Sequence, residues 1–156
     1  MRIRITLIIT AISLILFAFS SQQTTPDLIL SSAKGKAGVK ISEKHTNDKI
    51  QAVLGKAISM DKQVQENGED PIFVIVYDGL TIETQSGFIR FISITSSKWK
   101  LNTYTIGSPI ETIESKFEKS TKMYLSDLKF KLKDGKGILF VDSDTNKKVK
   151  KIGVFY

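Results

Sequence analysis

Two-residue breaks that carry a glycine constrain this chain most. Asp78-Gly79 and Ser86-Gly87 separate three runs of β-forming residues, 72–77, 80–84 and 88–95. Asp134-Gly135 separates Leu128, Phe130 and Leu132 from a further run at 138–141. Glycine at such a break supplies the positive φ that tight hairpin turns need. The runs are therefore expected to pair as antiparallel neighbours rather than through helical crossovers. The first run is apolar almost throughout and predicts a central strand. In the run that contains Phe130, apolar residues alternate with Lys129, Lys131 and Lys133, which predicts a strand with one wet face. A turn at 142–147 then leads into a last strand over 148–156.

Two helices interrupt the strands. Thr46 or Asn47 can cap the first, Ile50, Val53 and Leu54 give it an apolar stripe, and Gly55 sits where a helix ends. The second opens on Ser108 as N-cap, Pro109 in the first turn and Glu111 three residues on, a capping box, with Ile110, Ile113 and Phe117 as the stripe. Short strands are expected at Val39 and Ile41 and at Tyr104 and Ile106. The polar stretches 56–70 and 96–100 read as loop and link.

The order of elements occurs twice, and residues match along with it. Ile50-Gln51 and Leu54 align with Ile113-Glu114 and Phe117. Tyr77-Asp78-Gly79 aligns with Lys133-Asp134-Gly135, and Ile89, Ile92 and Ile94 align with Val149, Ile152 and Val154. Neither half buries a helix and a sheet well by itself, a physical reason to pair two. The expected fold class is α+β: two repeated units, each a short helix plus a three-stranded antiparallel sheet, packed into one domain. The boundaries follow as residues 1–20 for a signal peptide, 21–37 for a polar lead-in, 38–97 for the first unit and 98–156 for the second.

The stretch Thr105-Ile106-Gly107-Ser108-Pro109-Ile110-Glu111-Thr112-Ile113-Glu114-Ser115-Lys116-Phe117 resembles the helix-opening pattern of a broad group of small exported bacterial proteins. In that group αβββ units occur singly in outer-membrane assembly lipoproteins of the SmpA/OmlA type and in tandem in the β-lactamase inhibitory proteins. The resemblance implies a fold and a non-enzymatic binding role. It transfers no functional residue, because the lipoproteins need an acylated cysteine, the inhibitory proteins carry disulfides, and this chain has no cysteine.

Export is read from the beginning of the chain. Arg2 and Arg4 precede an apolar run from residue 5 to 19, and Ala18-Phe19-Ser20 fits a small-x-small cleavage site. As a helix the run spans roughly 22 Å, short of the ~30 Å hydrocarbon core, so a cleaved signal peptide is preferred to an anchor. Removing residues 1–20 takes away two arginines and no acid, which lowers the formal charge from +7 to +5. Stability is then expected from hydrophobic packing, and the destination is periplasmic or extracellular.

Candidate chemistry is sparse. His45 is the one histidine, no nucleophile-elbow motif accompanies it, and it reads as a polar residue at helix entry. Asp142, Asp144 and Asn146 begin like a calcium loop, but Lys147 and Gly153 occupy its glycine and bidentate-glutamate positions, so turn formers are preferred. Glu66, Glu69 and Asp70 read as a solvated loop. Phe155-Tyr156 invites a membrane-barrel reading that the helices and lysine-rich strands oppose. The binding candidates are Trp99, an anchor where exposed, although packing between the units is the preferred reading, and Lys129, Lys131, Lys133, Lys148 and Lys150, a surface where neighbouring strands merge them, although a solvated face with edge lysines is preferred. No catalytic residue, metal or cofactor is expected, nor nucleic acid. The expected role is an exported, inhibitor-like module that recognises a partner protein through a sheet face. The alternative is an envelope protein that holds anionic glycan or lipid through its lysines.

Overall fold

The computed structural model describes residues 25–66 and 68–156. The expected signal peptide, residues 1–20, lies outside the described residues. In chain order the elements are β1 (Ile29–Ser32), β2 (Val39–Lys40), α1 (Asn47–Leu54), β3 (Ser59–Gln63), β4 (Ile72–Tyr77), β5 (Leu80–Gln85), β6 (Phe88–Ile94), β7 (Trp99–Leu101), α2 (Glu111–Glu114), β8 (Leu128–Lys131), β9 (Ile138–Ser143) and β10 (Val149–Phe155). Seven strands make one antiparallel sheet in the order β3-β4-β5-β6-β10-β9-β8, and three make a second in the order β2-β1-β7. The chain is α+β and strand-rich, with two short helices among the described residues.

Register explains where the core sits. One line of directly paired residues crosses six strands of the large sheet: Phe130, Leu139, Val154, Ile92, Ile82 and Ile75. All six are fully buried. The next inward-facing line, Val141, Ile152, Ile94, Leu80 and Tyr77, is buried as well. Side chains alternate faces along a strand, so these lines define one inner face. The small sheet and both helices join it in one core through Leu28, Leu30, Val39, Ile41, Ile50, Leu101 and Ile113.

Two irregularities keep that face apolar. Ile89 and Ile92 are three residues apart, as are Val149 and Ile152, an odd spacing that would put one of each pair on the wrong side. The pairing slips at both places, leaving Arg90 and Lys150 as the extra residues of β-bulges, and all four apolar residues are buried.

Several expectations need correction. Residues 56–70 are not all loop, because β3 pairs along the whole of β4. The lead-in is not wholly loose, because β1 buries Leu30 and pairs with both β2 and β7. The second helix is a single turn without its capping box. The Ser108 hydroxyl accepts from Thr105 N at 3.1 Å instead, and the Ser108 carbonyl accepts from Val149 N at 2.9 Å. The stripe Ile110, Ile113 and Phe117 is nonetheless buried, so packing and not capping holds this segment. In α1 the cap forms, with the Thr46 side chain accepting from Lys49 N.

Candidate functional site

The other face of the large sheet is built from the alternate residues. There Phe91 of β6 pairs with Phe155 of β10, which pairs with Ile138 of β9 and then Lys131 of β8. The neighbouring line runs Ser93, Gly153, Phe140, Lys129. Gly153 leaves room at the centre for the Phe140 ring, since a Cβ built on it would lie 2.5 Å from Phe140 Cζ. Phe140 is fully buried although it faces outward. Phe91 stacks on it at 5.9 Å between centroids, Tyr124 lies at 4.8 Å, and the Lys151 ammonium sits 5.5 Å from its centroid.

Tyr124 arrives from the segment between α2 and β8, where it also stacks on Phe155 at 5.3 Å. The segment is tied down on both sides of this ring. Lys122 Nζ donates to Gly135 O at 3.0 Å, and Ser126 Oγ lies 3.0 Å from Val141 O. Ser143 N donates to Asp127 Oδ2 at 3.0 Å. Flanking the anchored tyrosine, Met123 is 97% and Leu125 98% exposed, and Phe155 is itself partly open to solvent. Met123 and Leu125 thus stand in water beside the aromatic cluster.

Of the sequence candidates, Trp99 takes the packing position and not the exposed one. It is 8% exposed in β7, its indole N–H donates to Asp78 O at 2.8 Å, and its ring packs 5.2 Å from Tyr77. Its role is to join the small sheet to the large one. The lysines do not merge into one surface. Lys129 and Lys131 lie on the outer face of β8, and Lys131 pairs with Glu118. Lys133 reaches Asp27 at 3.7 Å beyond the end of β8 that is level with Phe155. Lys148 precedes the opposite end of β10, where its backbone N–H donates to Asp144 Oδ1, and Lys150 stands exposed in the bulge. The residues that the sequence reading missed are Phe91, Tyr124, Phe140 and Phe155. Their available signal was the fully apolar run 138–141, which demands cover on both faces of β9.

His45 is buried. Its Nε2 donates to Lys40 O at 2.8 Å and its backbone N–H to Gly87 O at 2.8 Å, so it ties β2 to the β5–β6 turn. Nδ1 has no hydrogen-bond partner. A cavity of about 670 Å³ beside it is lined by Asn47, Asp70, Phe73 and Thr84 among others. Asp144 Oδ1 accepts from Asn146 N and Lys148 N, both at 2.9 Å, the work of a turn former. Among the described residues no group of three or more His, Asp or Glu is arranged to hold a metal ion.

Tyr156 packs against Gly137, and burial, then the charge of Asp134 and a hydrogen bond to it, push its phenol up to about 12. Raised in the folded state, such a group stabilises fully below its unfolded value near 10, and that contribution is lost as pH climbs through about 12. Unfolding free energy is therefore expected to fall between these values, and less steeply in Tyr156→Phe. Urea titrations across that range test this; equal slopes for the two proteins would refute it.

No protein-family model matches the chain, and no curated protein and no solved structure is significantly similar to it.

Proposed function

We propose that this is an exported binding protein, without catalytic activity, that recognises a partner protein through the outer face of its large sheet. The observation that carries the proposal is the aromatic cluster of Phe91, Tyr124, Phe140 and Phe155, rimmed by Met123, Leu125, Lys129 and Lys151. Aromatic anchors surrounded by polar and cationic residues are what interface centres are made of.

The two-unit reading of the fold belongs here too. Ser93 and Gly153 are equivalent in the aligned halves, and they pair with each other. Ile92 pairs with Val154 and Ile94 with Ile152, so each half's residue meets the other half's counterpart. Both bulges fall at the same aligned position, Arg90 and Lys150. These relations support two similar hairpin units meeting across a pseudo-twofold axis near Gly153, with the aromatic cluster beside that axis.

The test is a double variant, Met123→Ser with Leu125→Ser. Both side chains are almost fully exposed, so stability is expected to stay within about 0.5 kcal/mol. Affinity for a partner isolated with wild-type protein is expected to fall at least ~10-fold, which removal of two well-placed apolar anchors produces. An unchanged affinity, or no isolable partner, overturns the proposal. A second reading, anionic glycan or lipid as the partner, is favoured by Lys129 and Lys150, which have no acidic partner among the described residues. It predicts binding that weakens steeply with salt and is indifferent to the double variant.

A further inference from the structure

A long cationic side chain at a protein surface is ordinarily loose, and Arg90 is fixed. It is the extra residue of the bulge in β6, which takes it out of the strand's alternation and re-aims it. Its Nη1 donates to Gln85 Oε1 at 3.0 Å, and the Gln85 amide donates in turn to Asp70 O at 2.9 Å. On the other side its Nε is buried, 3.8 Å from Glu83 Oε2. Its Nη2 donates to no described residue. The guanidinium is thus held in place with donors unused.

A cavity of about 430 Å³ lies beside it, within the ~300–1,000 Å³ of small-molecule sites. Its floor is apolar, with Ile41 and Ile89 buried and the Phe88 ring half-exposed. Lys136 lines it too, from the turn between β8 and β9, and has no acidic partner among the described residues. The Lys44 ammonium stands 5.7 Å from the Phe88 centroid and adds positive charge at the rim. The one carboxylate among the lining residues, that of Asp134, is already engaged. Its Oδ1 accepts from Lys136 N at 2.9 Å, and the Tyr156 hydroxyl bonds to it.

We propose that this cavity binds a small carboxylate that carries an aromatic or other apolar body. The Arg90 Nη2 donates to the carboxylate, and the Lys136 ammonium supplies the second charged donor. The apolar body covers Ile41, Ile89 and the exposed side of Phe88. The fixed guanidinium selects the charge: already immobilised, it loses little further freedom when an anion arrives. The floor selects the body, because a bare anion would leave that apolar surface in water. This site shares no residue with the aromatic face and stands independently of the partner proposed for it.

The probe is phenylacetate, titrated calorimetrically into the full chain. Saturable binding with a Kd of about 1 mM or tighter is expected. Phenylacetamide keeps the ring and lacks the charge, and acetate keeps the charge and lacks the ring. Each is expected to bind at least ~10-fold more weakly, as loss of a charge-assisted hydrogen bond or of ring burial produces. Arg90→Gln and Lys136→Gln are each expected to weaken phenylacetate binding by a similar factor. Lys136 is exposed, so its variant keeps the native fold and decides the matter even where Arg90→Gln unfolds. No saturable binding of phenylacetate up to ~10 mM overturns the proposal. So does equal binding of phenylacetamide or acetate, or a Lys136→Gln protein with wild-type affinity.

Discussion

Replacing Gly153 with alanine is expected to lower the unfolding free energy by about 3 kcal/mol, at the upper end of what overpacking costs. The added carbon would stand 1.9 Å from Ile92 O and 2.5 Å from Phe140 Cζ. The first contact is with a backbone carbonyl in the strand that pairs with β10, so it cannot swing aside without opening the ladder at Ser93. The second is with a ring held by Phe91 and Tyr124, so relief there would disturb the outer aromatic face. The smaller entropy of the unfolded alanine chain offsets only about 0.4–1 kcal/mol of this. Gly135→Ala separates the effects, since its φ is +67° and nothing lies within 4 Å of its added carbon. It carries backbone strain alone, about 1–2 kcal/mol. Urea midpoints of the two variants give the comparison. A Gly153→Ala loss smaller than that of Gly135→Ala would show that β6 and β10 yield easily along their shared ladder.

What the sequence made legible follows from how local each signal is. Strands β4, β5 and β6 are readable because Asp78-Gly79 and Ser86-Gly87 turn the chain within two residues; Ser86 and Gly87 both take positive φ, at 55° and 82°. Strand β3 carries no such signal. Ser59, Asp61, Lys62 and Gln63 are polar, and the strand exists because β4 offers it a row of backbone partners. Strand β7 depends on β1, about seventy residues away in sequence, so Ser96 to Lys100 reads as a link until the chain is folded. The capping box at Ser108 is a genuine local preference, overridden when Lys147 and Val149 of the last hairpin claim the backbone around it.

The candidate site was legible in its parts and not in its assembly. Phe91 and Phe155 occupy the opposite parity to Ile92 and Ile152, which marks them as outward residues. That they meet each other depends on β6 pairing with β10, a contact between strands about sixty residues apart in sequence. Tyr124 gave no sign at all, since its segment has no periodicity and its partners Phe140 and Phe155 lie on strands formed later in the chain. The lysine pattern was legible in part. Alternation placed Lys129 and Lys131 on one face correctly, but strand direction separates Lys133 from Lys148 by the length of β10.

Trp99 carries two readings in the sequence, an exposed anchor and a packing residue, and its substitution separates them. An exposed anchor would lose binding on truncation and leave stability almost unchanged. In the core it has the opposite profile: Trp99→Ala is expected to cost about 3–5 kcal/mol, as buried aromatic truncations do, out of a total of about 5–15 kcal/mol. The loss combines the contact with Tyr77, the bond from Nε1 to Asp78 O and the seam between β7 and the turn after β4. Trp99→Phe divides these. It keeps an aromatic ring against Tyr77 and removes the donor, leaving a partly buried carbonyl unpaired at about 1–3 kcal/mol. Chemical unfolding followed by circular dichroism measures both, because the only tryptophan is lost in each variant. Any partner retained by the aromatic face should still bind Trp99→Phe with its native affinity under conditions where the variant stays folded. A Trp99→Ala protein destabilised by under about 1 kcal/mol would contradict the burial of this side chain and return it to the binding surface.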